Sequence, residues 1–424
     1  MRIAILIHYF FPPIHSGAIS RNYYFSLEFA KRFDRIFVIT TSNRRVLAGE
    51  TKPLPSNMEV IEAATFDYRT VVGRHSKITH LPEGRKKGSL FRMLVKLQKT
   101  LPFHFLLGEG GLLYIYSALR AGSRILQKHD VSLIYSSFGP YADHLIACIL
   151  KKKHKDLRWV ADFRDLLVEP LYQNVYFEDL QKRWEQRLLR HADLVTTISE
   201  GLKKHLVRYK RPVLNVPRGV SLRNFNGNHF EKFTICYTGS LYRDFRDGDY
   251  FFFVLAKLIE DGLIDAGNIQ FYYAGRDGSQ FVKWLDRYNL RDIYWDHGFI
   301  SQKETFEIQN RSHLQLLLTS ATEKWGGVLT GKVFEYLEAG NPIVVLIKGD
   351  KDREFEDFIF NTGGGIVCYD PPQNDYLLKE FLLNQFKEWE KTGKPASICN
   401  TRYIESELSW SGQAAKILEG VELD

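Results

Sequence analysis

Short runs of apolar residues alternate along this chain with longer stretches in which apolar residues recur every three or four positions. The runs have the length of buried strands, and the stretches have the period of helices packed by one face. In the first half, strands are expected at 3–7, 36–40, 60–62, 133–136, 159–161, 194–197 and 213–216, with helices at 21–32, 111–128, 141–153, 181–191 and 200–208. In the second half, strands are expected at 233–238, 269–274, 293–295, 314–318, 342–346 and 365–368. The helices there are 248–261, 278–288, 303–311, 332–339, 352–360 and 376–391. Strand alternating with helix is the pattern of a parallel sheet with crossover helices.

The periodicity lapses at 218–232, which is rich in Gly, Asn and charge, as a linker is. The reading is an α/β chain of two doubly wound parallel-sheet domains facing a cleft. They are 1–217 and 233–400, with a helical segment 401–424 expected to pack back on the first domain. In such open sheets ligands bind beyond the carboxyl ends of the strands. A length of 424 residues suits two domains of ordinary size.

Composition changes this picture little. With 44% hydrophobic and 25% charged residues the chain reads as soluble and globular. The net charge of +8 suits an anionic substrate, a membrane face or nucleic acid without choosing among them. Acidic residues mixed through the basic segments argue against nucleic acid. Cys148, Cys236, Cys368 and Cys399 form no Cys-x-x-Cys pair, which suggests thiols in a reducing compartment and no structural zinc. The apolar start is interrupted by His8, Pro12 and Pro13, so it reads as a strand and not as a signal peptide. No stretch approaches the ~20 apolar residues of a membrane span. A cytoplasmic protein is expected. The basic, amphipathic run 85–101 mixes Lys and Arg with Leu, Phe and Val, as an ordinary solvated helix does or as one touching an anionic membrane face.

The most informative segment is Gly331-Lys-Val-Phe-Glu-Tyr-Leu-Glu-Ala-Gly-Asn-Pro342. It predicts a short helix with glycine and lysine at its mouth, stopped by Gly340 and Pro342. Unpaired N–H groups and a positive dipole end suit a phosphate. Glu335, about one turn inside, is placed to accept hydrogen bonds from ribose hydroxyls. A glutamate there can equally serve only to complement the dipole. Upstream, Gly326 and Gly327 let a ligand approach the backbone.

Other loops point the same way. Gly239 and Ser240 follow the strand at 233–238, with Arg243 and Arg246 beyond, where a cation offsets the charge of a departing diphosphate. Tyr273-Ala-Gly275 repeats the strand-to-glycine exit, and the backbone of His297-Gly-Phe-Ile300 can pair with a base edge. The first loop lacks Gly-x-Gly-x-x-Gly, which argues against a bound dinucleotide, though Gly17 allows close approach. Asp162, Arg164 and Asp165 sit just past a buried strand, as acceptor-side groups or as a local Asp–Arg pair holding the loop. His144 reaches the cleft if its helix begins near Pro140. No Asp-x-Asp stands at a strand end, so neither a metal nor another cofactor is implied.

In this order the segments resemble the GT-B glycosyltransferases, most closely the family-4 retaining type, over nearly the whole chain. The resemblance implies two Rossmann-like domains. It implies Glu335 as the ribose-binding glutamate, Gly327, Thr330 and Gly331 in the diphosphate cradle, and Phe299 with Ile300 as the base contact. Arg246 stands where the family has a phosphate-binding lysine. Ser240 replaces a usual arginine, Gly327 a frequent second glutamate, and Arg218 the usual Asn before Gly219. The implied activity is transfer of a sugar from a nucleoside diphosphate to a saccharide or lipid-linked hydroxyl. Arg246, Lys332 and His144 are the expected catalytic groups. A nucleotide-sugar epimerase or hydrolase is the alternative on the same architecture.

Overall fold

A computed structural model describes residues 2–13, 19–42, 51–66, 93, 96–107, 110–168, 174–223, 225–241, 246–323, 326–370, 375–396 and 399–423. The chain divides into two compact units, Met1–Pro217 with Trp410–Asp424, and Arg218–Ser409.

The first unit holds seven parallel strands: β1 (Ile3–Ile7), β2 (Arg35–Thr41), β3 (Met58–Ala63), β4 (Leu133–Ser137), β5 (Arg158–Phe163), β6 (Leu194–Thr197) and β7 (Val213–Asn215). Their order is β3-β2-β1-β4-β5-β6-β7, so the winding reverses between β1 and β4. Every residue of β1 and of β4 is buried, as a strand covered on both faces requires. At the carboxyl end of β5, Asp162 is buried and bidentate to Arg21, at 3.0 and 2.7 Å, and also accepts from the Thr196 hydroxyl at 2.8 Å.

The second unit repeats the design with β8 (Phe233–Thr238), β9 (Ile269–Ala274), β10 (Tyr294–Asp296), β11 (Leu314–Ala321), β12 (Ile343–Gly349) and β13 (Gly365–Asp370). The order is β10-β9-β8-β11-β12-β13, all parallel, with the reversal between β8 and β11. Strands β11 and β12 run three residues past their expected ends, because Thr319, Ser320 and Ala321 pair with Ile347, Lys348 and Gly349. Ala321 and Ile347 are buried in the core, while Thr319, Ser320 and Lys348 carry no hydrophobic signal and extend the strands by backbone pairing.

Two stretches differ from expectation. Of 218–232, Val220 and Leu222 pack in the core around the Gly331–Ala339 helix, and the Val220 N–H donates to the Leu408 carbonyl at 2.7 Å. The polar residues around them, with Ser221 between, hid that apolar spacing. The terminal segment also splits. Ile404 and Leu408 are buried in the second unit, whereas the Trp410–Glu419 helix packs on the Ile19–Ala30 helix of the first. Trp410 stacks on Tyr24 at 4.9 Å between ring centroids and meets Phe25 edge-on at 5.3 Å. Gly17 and Arg243 lie outside the described residues, as does 85–101 apart from residues 93 and 96–101. Among the described residues no helix is long and apolar enough to cross a membrane.

Glu185, on the Glu178–Leu189 helix, is 2% exposed, accepts from the Tyr209 hydroxyl and has Arg208 at 3.8 Å. Burial pushes its carboxyl from 4.5 up to about 8, with Arg208 opposing. The folded state therefore holds this proton more tightly than the unfolded chain, and the group's contribution to stability falls as pH rises between those two values. Glu185→Gln should gain on the natural protein by about 1.4 kcal/mol per pH unit across that window and by nothing more above it. Urea unfolding at pH 5, 6.5 and 8 checks this, and parallel pH curves would refute it.

Candidate functional site

Beyond the carboxyl ends of β8 and β9, beside the β8/β11 reversal, lies a recess. It is lined by Thr238, Gly239, Ser240, Ala274, Gly275, Arg276, Phe299, Ile300, Thr305, Lys332 and Glu335. Its floor is closed by backbone. Gly239 N–H donates to the Ala274 carbonyl at 2.6 Å, Gly275 N–H to the Gly298 carbonyl at 2.8 Å, and Thr238 N–H to the Tyr336 hydroxyl oxygen at 2.9 Å. Gly239 has φ +103°, and a Cβ there would stand 2.6 Å from the Lys332 Cε. A side chain at Gly275 would overlap the Gly239 carbonyl. Glycine is needed at both points because two loops and a lysine cross there.

The lysine belongs to the first turn of the Gly331–Ala339 helix. Its ammonium lies over the Tyr237 ring at 4.4 Å and donates to the Tyr237 hydroxyl at 3.1 Å and the Ser240 carbonyl at 3.0 Å. The Arg246 Nη1 donates to the same carbonyl at 2.9 Å. Two cations thus converge on one backbone oxygen. Burial first, and Arg246 second, push the Lys332 ammonium well below its ordinary value, with Glu335 opposing. An anion in the recess would attract the ammonium and so oppose both effects. Ser240, which replaces an expected arginine, contributes its carbonyl, and Lys332 provides the second cation from another element.

Glu335 borders the recess one turn further along the helix, and its carboxylate faces the Arg218 Nη1 at 3.9 Å. On the other side Phe299 is 73% exposed, with the Arg276 guanidinium 4.5 Å over its ring. Ile300 packs with Cys236, Ala274 and Ile308, so its backbone is held at the rim.

Not every expected residue joins this group. Gly327, Thr330 and Gly331 stand at the entrance to the helix but outside the lining. The Gly327 N–H already donates to Asp352 at 2.8 Å. Thr330 occupies the N-cap without capping, and its hydroxyl is buried with no partner among the described residues. Gly331 is exposed, with open space where a Cβ would be.

In the first unit His144 lies in the interior, its Nδ1 2.8 Å from the Ser136 hydroxyl and its ring against Phe138, Tyr141, Trp159 and Phe163. It is wholly buried, and burial pushes it down to about 3, so it is a neutral packing group with no surface to meet a substrate. The helix begins at Ala142, which sets His144 on its inner face. Burial tends to raise the Asp162 carboxyl, but Arg21 and Thr196 outweigh it and hold it below the ordinary value. Its partner is thus Arg21, from a distant helix, while the Arg164 guanidinium donates to the Phe138 carbonyl. Asp165 is exposed.

Sequence reasoning missed Arg276 and Thr305. Arg276 could have been found from the strand exit Ala274-Gly275, since the next residue emerges at the same strand end. Thr305 carries no such signal.

Residues 67–224 match the model of Glycosyltransferase Family 4. No curated protein matches the sequence. Among solved structures, the chain is similar to a sucrose-phosphate synthase from Thermosynechococcus elongatus, with 12% identity, a TM-score of 0.59, and 100% of this chain and 98% of that one covered. It is also similar to an α,α-trehalose-phosphate synthase (UDP-forming) from Burkholderia xenovorans in complex with glucose-6-phosphate, at 11% identity, TM-score 0.56 and full coverage of both chains. A lipopolysaccharide outer core galactosyltransferase aligns at 13% identity and TM-score 0.54, over 100% of this chain and 99% of that one. By fold the chain is a GT-B protein of two Rossmann-like domains, and it resembles the family-4 glycosyltransferases, whose model it matches over 67–224.

Proposed function

We propose that the protein transfers a glycosyl unit from a nucleoside diphosphate sugar to a hydroxyl of a saccharide or lipid-linked saccharide, with retention, in surface polysaccharide or glycan synthesis. The observation that carries this reading is the recess lined by Lys332 and Glu335, one helical turn apart, with Arg246 outside its lining meeting Lys332 at the Ser240 carbonyl. A diphosphate at the cations replaces that shared carbonyl contact and takes up the excess positive charge. The ribose then falls beside Glu335, and the base beside Phe299 and Arg276. The leaving diphosphate gains negative charge in the transition state, and fixed cations in a recessed site stabilise it more there than in the ground state. One structural relative is named UDP-forming, which agrees with such a leaving group. Retention rests on the resemblance to family 4. The acceptor is proposed to lie on the side of the first unit, at a cytoplasmic membrane face touched by 85–101.

A thermal-shift screen against UDP, GDP, ADP and CMP sugars should find a stabilising donor, and Glu335→Ala should remove that shift. Binding that survives Glu335→Ala overturns the site. With an acceptor present, Lys332→Met should lower kcat/KM about 10²–10³-fold with smaller loss of donor binding. Because two side-chain cations carry the diphosphate charge, turnover is expected to persist in EDTA. Sugar released or epimerised without acceptor, as read by NMR, would point to a hydrolase or epimerase instead.

A further inference from the structure

Two carboxylates, Glu335 and Glu338, lie three residues apart on one face of the Gly331–Ala339 helix, an arrangement in which like charges repel. Arg218 stands between them. Its Nη2 donates to both oxygens of Glu338 at 3.2 Å, and its Nη1 is 3.9 Å from the Glu335 Oε1. Glu338 is itself anchored by Arg223, whose Nη2 lies 3.4 Å from its Oε2. That second guanidinium is fixed in turn, 3.7 Å over the Phe306 ring and donating to the Gln309 and Asn310 side-chain oxygens at 3.1 Å. The result is a rigid chain of groups ending at Glu335, which is one-third exposed at the edge of the recess.

Lys332, one turn before Glu335, is the rival cation. It bonds to Tyr237 and the Ser240 carbonyl, and among the described residues the ion pair of Glu335 is with Arg218. A carboxylate drawn onto Lys332 would neutralise the charge meant for the phosphates and withdraw the acceptor meant for the ribose.

We infer that Arg218 is a positioning residue: pinned on Glu338, it holds the Glu335 carboxylate away from Lys332, so that one group meets the ribose and the other the diphosphate. The inference rests on the donor reading of this recess and adds to it a residue from outside the recess. The fork geometry matters, because one guanidinium reaches two carboxylates at once and an ammonium does not.

The test compares the dissociation constants of UDP, GDP and ADP with those of their 2′,3′-dideoxy counterparts, by calorimetry on the full chain. For the base that binds, the natural protein should prefer the ribonucleotide by about tenfold or more, the worth of hydrogen bonds to a charged acceptor. Glu335→Ala should bring the ratio near one. Arg218→Gln should reduce it to about threefold or less while the dideoxy constant changes little, and Arg218→Lys should fall between. A merely structural role would weaken both ligands alike and leave the ratio intact. If Arg218→Gln keeps the full ratio while Glu335→Ala loses it, this inference falls and the donor site stands. If Glu335→Ala keeps it, or if none of the three nucleotides binds, the donor reading falls first. Should Arg218→Gln fail to fold by circular dichroism, Arg218→Lys decides, and an unchanged ratio there overturns the proposal.

Discussion

A parallel sheet that winds in both directions from a central pair of strands must part its crossover helices at that pair, and the parting leaves a crevice at the strands' carboxyl ends. Both units of this protein are wound so, about β1/β4 and about β8/β11. In the second unit the crevice receives the end of β8, the end of β9 and the first turn of the Gly331–Ala339 helix together. Three elements can converge only if the backbone between them is bare. Gly239 and Gly275 meet that condition, one giving way to Lys332 and the other to the Gly239 carbonyl. The chemistry of the recess follows from this crowding.

Electrostatics then separates the two units. In the first, the buried charge of Asp162 is compensated in place by Arg21 and Thr196, which makes it part of the scaffold. In the second, Lys332 and Arg246 share a carbonyl oxygen, a neutral acceptor for two positive groups. The proposed diphosphate would complete such a site. Glu335 stands beside it and faces Arg218, which is itself bonded to both oxygens of Glu338.

How far the sequence could be read depended on the range of the interaction. Most of the thirteen strands among the described residues were legible because they bury apolar runs, whereas β7 and β10 are short and only partly buried, and ends were blurred where pairing runs on through polar residues, as at Thr319, Ser320 and Lys348. Glycines at strand exits were legible as points of close approach, and so was the glutamate one turn into a helix. Arg276 was overlooked although it follows such an exit, and Thr305 carries no such signal. His144 appeared to be a candidate because a histidine near a helix start can face either way, and only packing against four aromatic rings shows that it faces in.

The sequence by itself determined the alternation of strands and helices, the division into two α/β units and the place of Glu335 one turn into its helix, since periodicity, breakers and local spacing act over a few residues. Tertiary structure alone decided which charges meet. Arg21 with Asp162 is a pairing across 141 positions, and Arg218 with Glu338 one across 120. Coulomb attraction depends on distance in space and not on distance along the chain, so such partners become visible only once the sheets are wound.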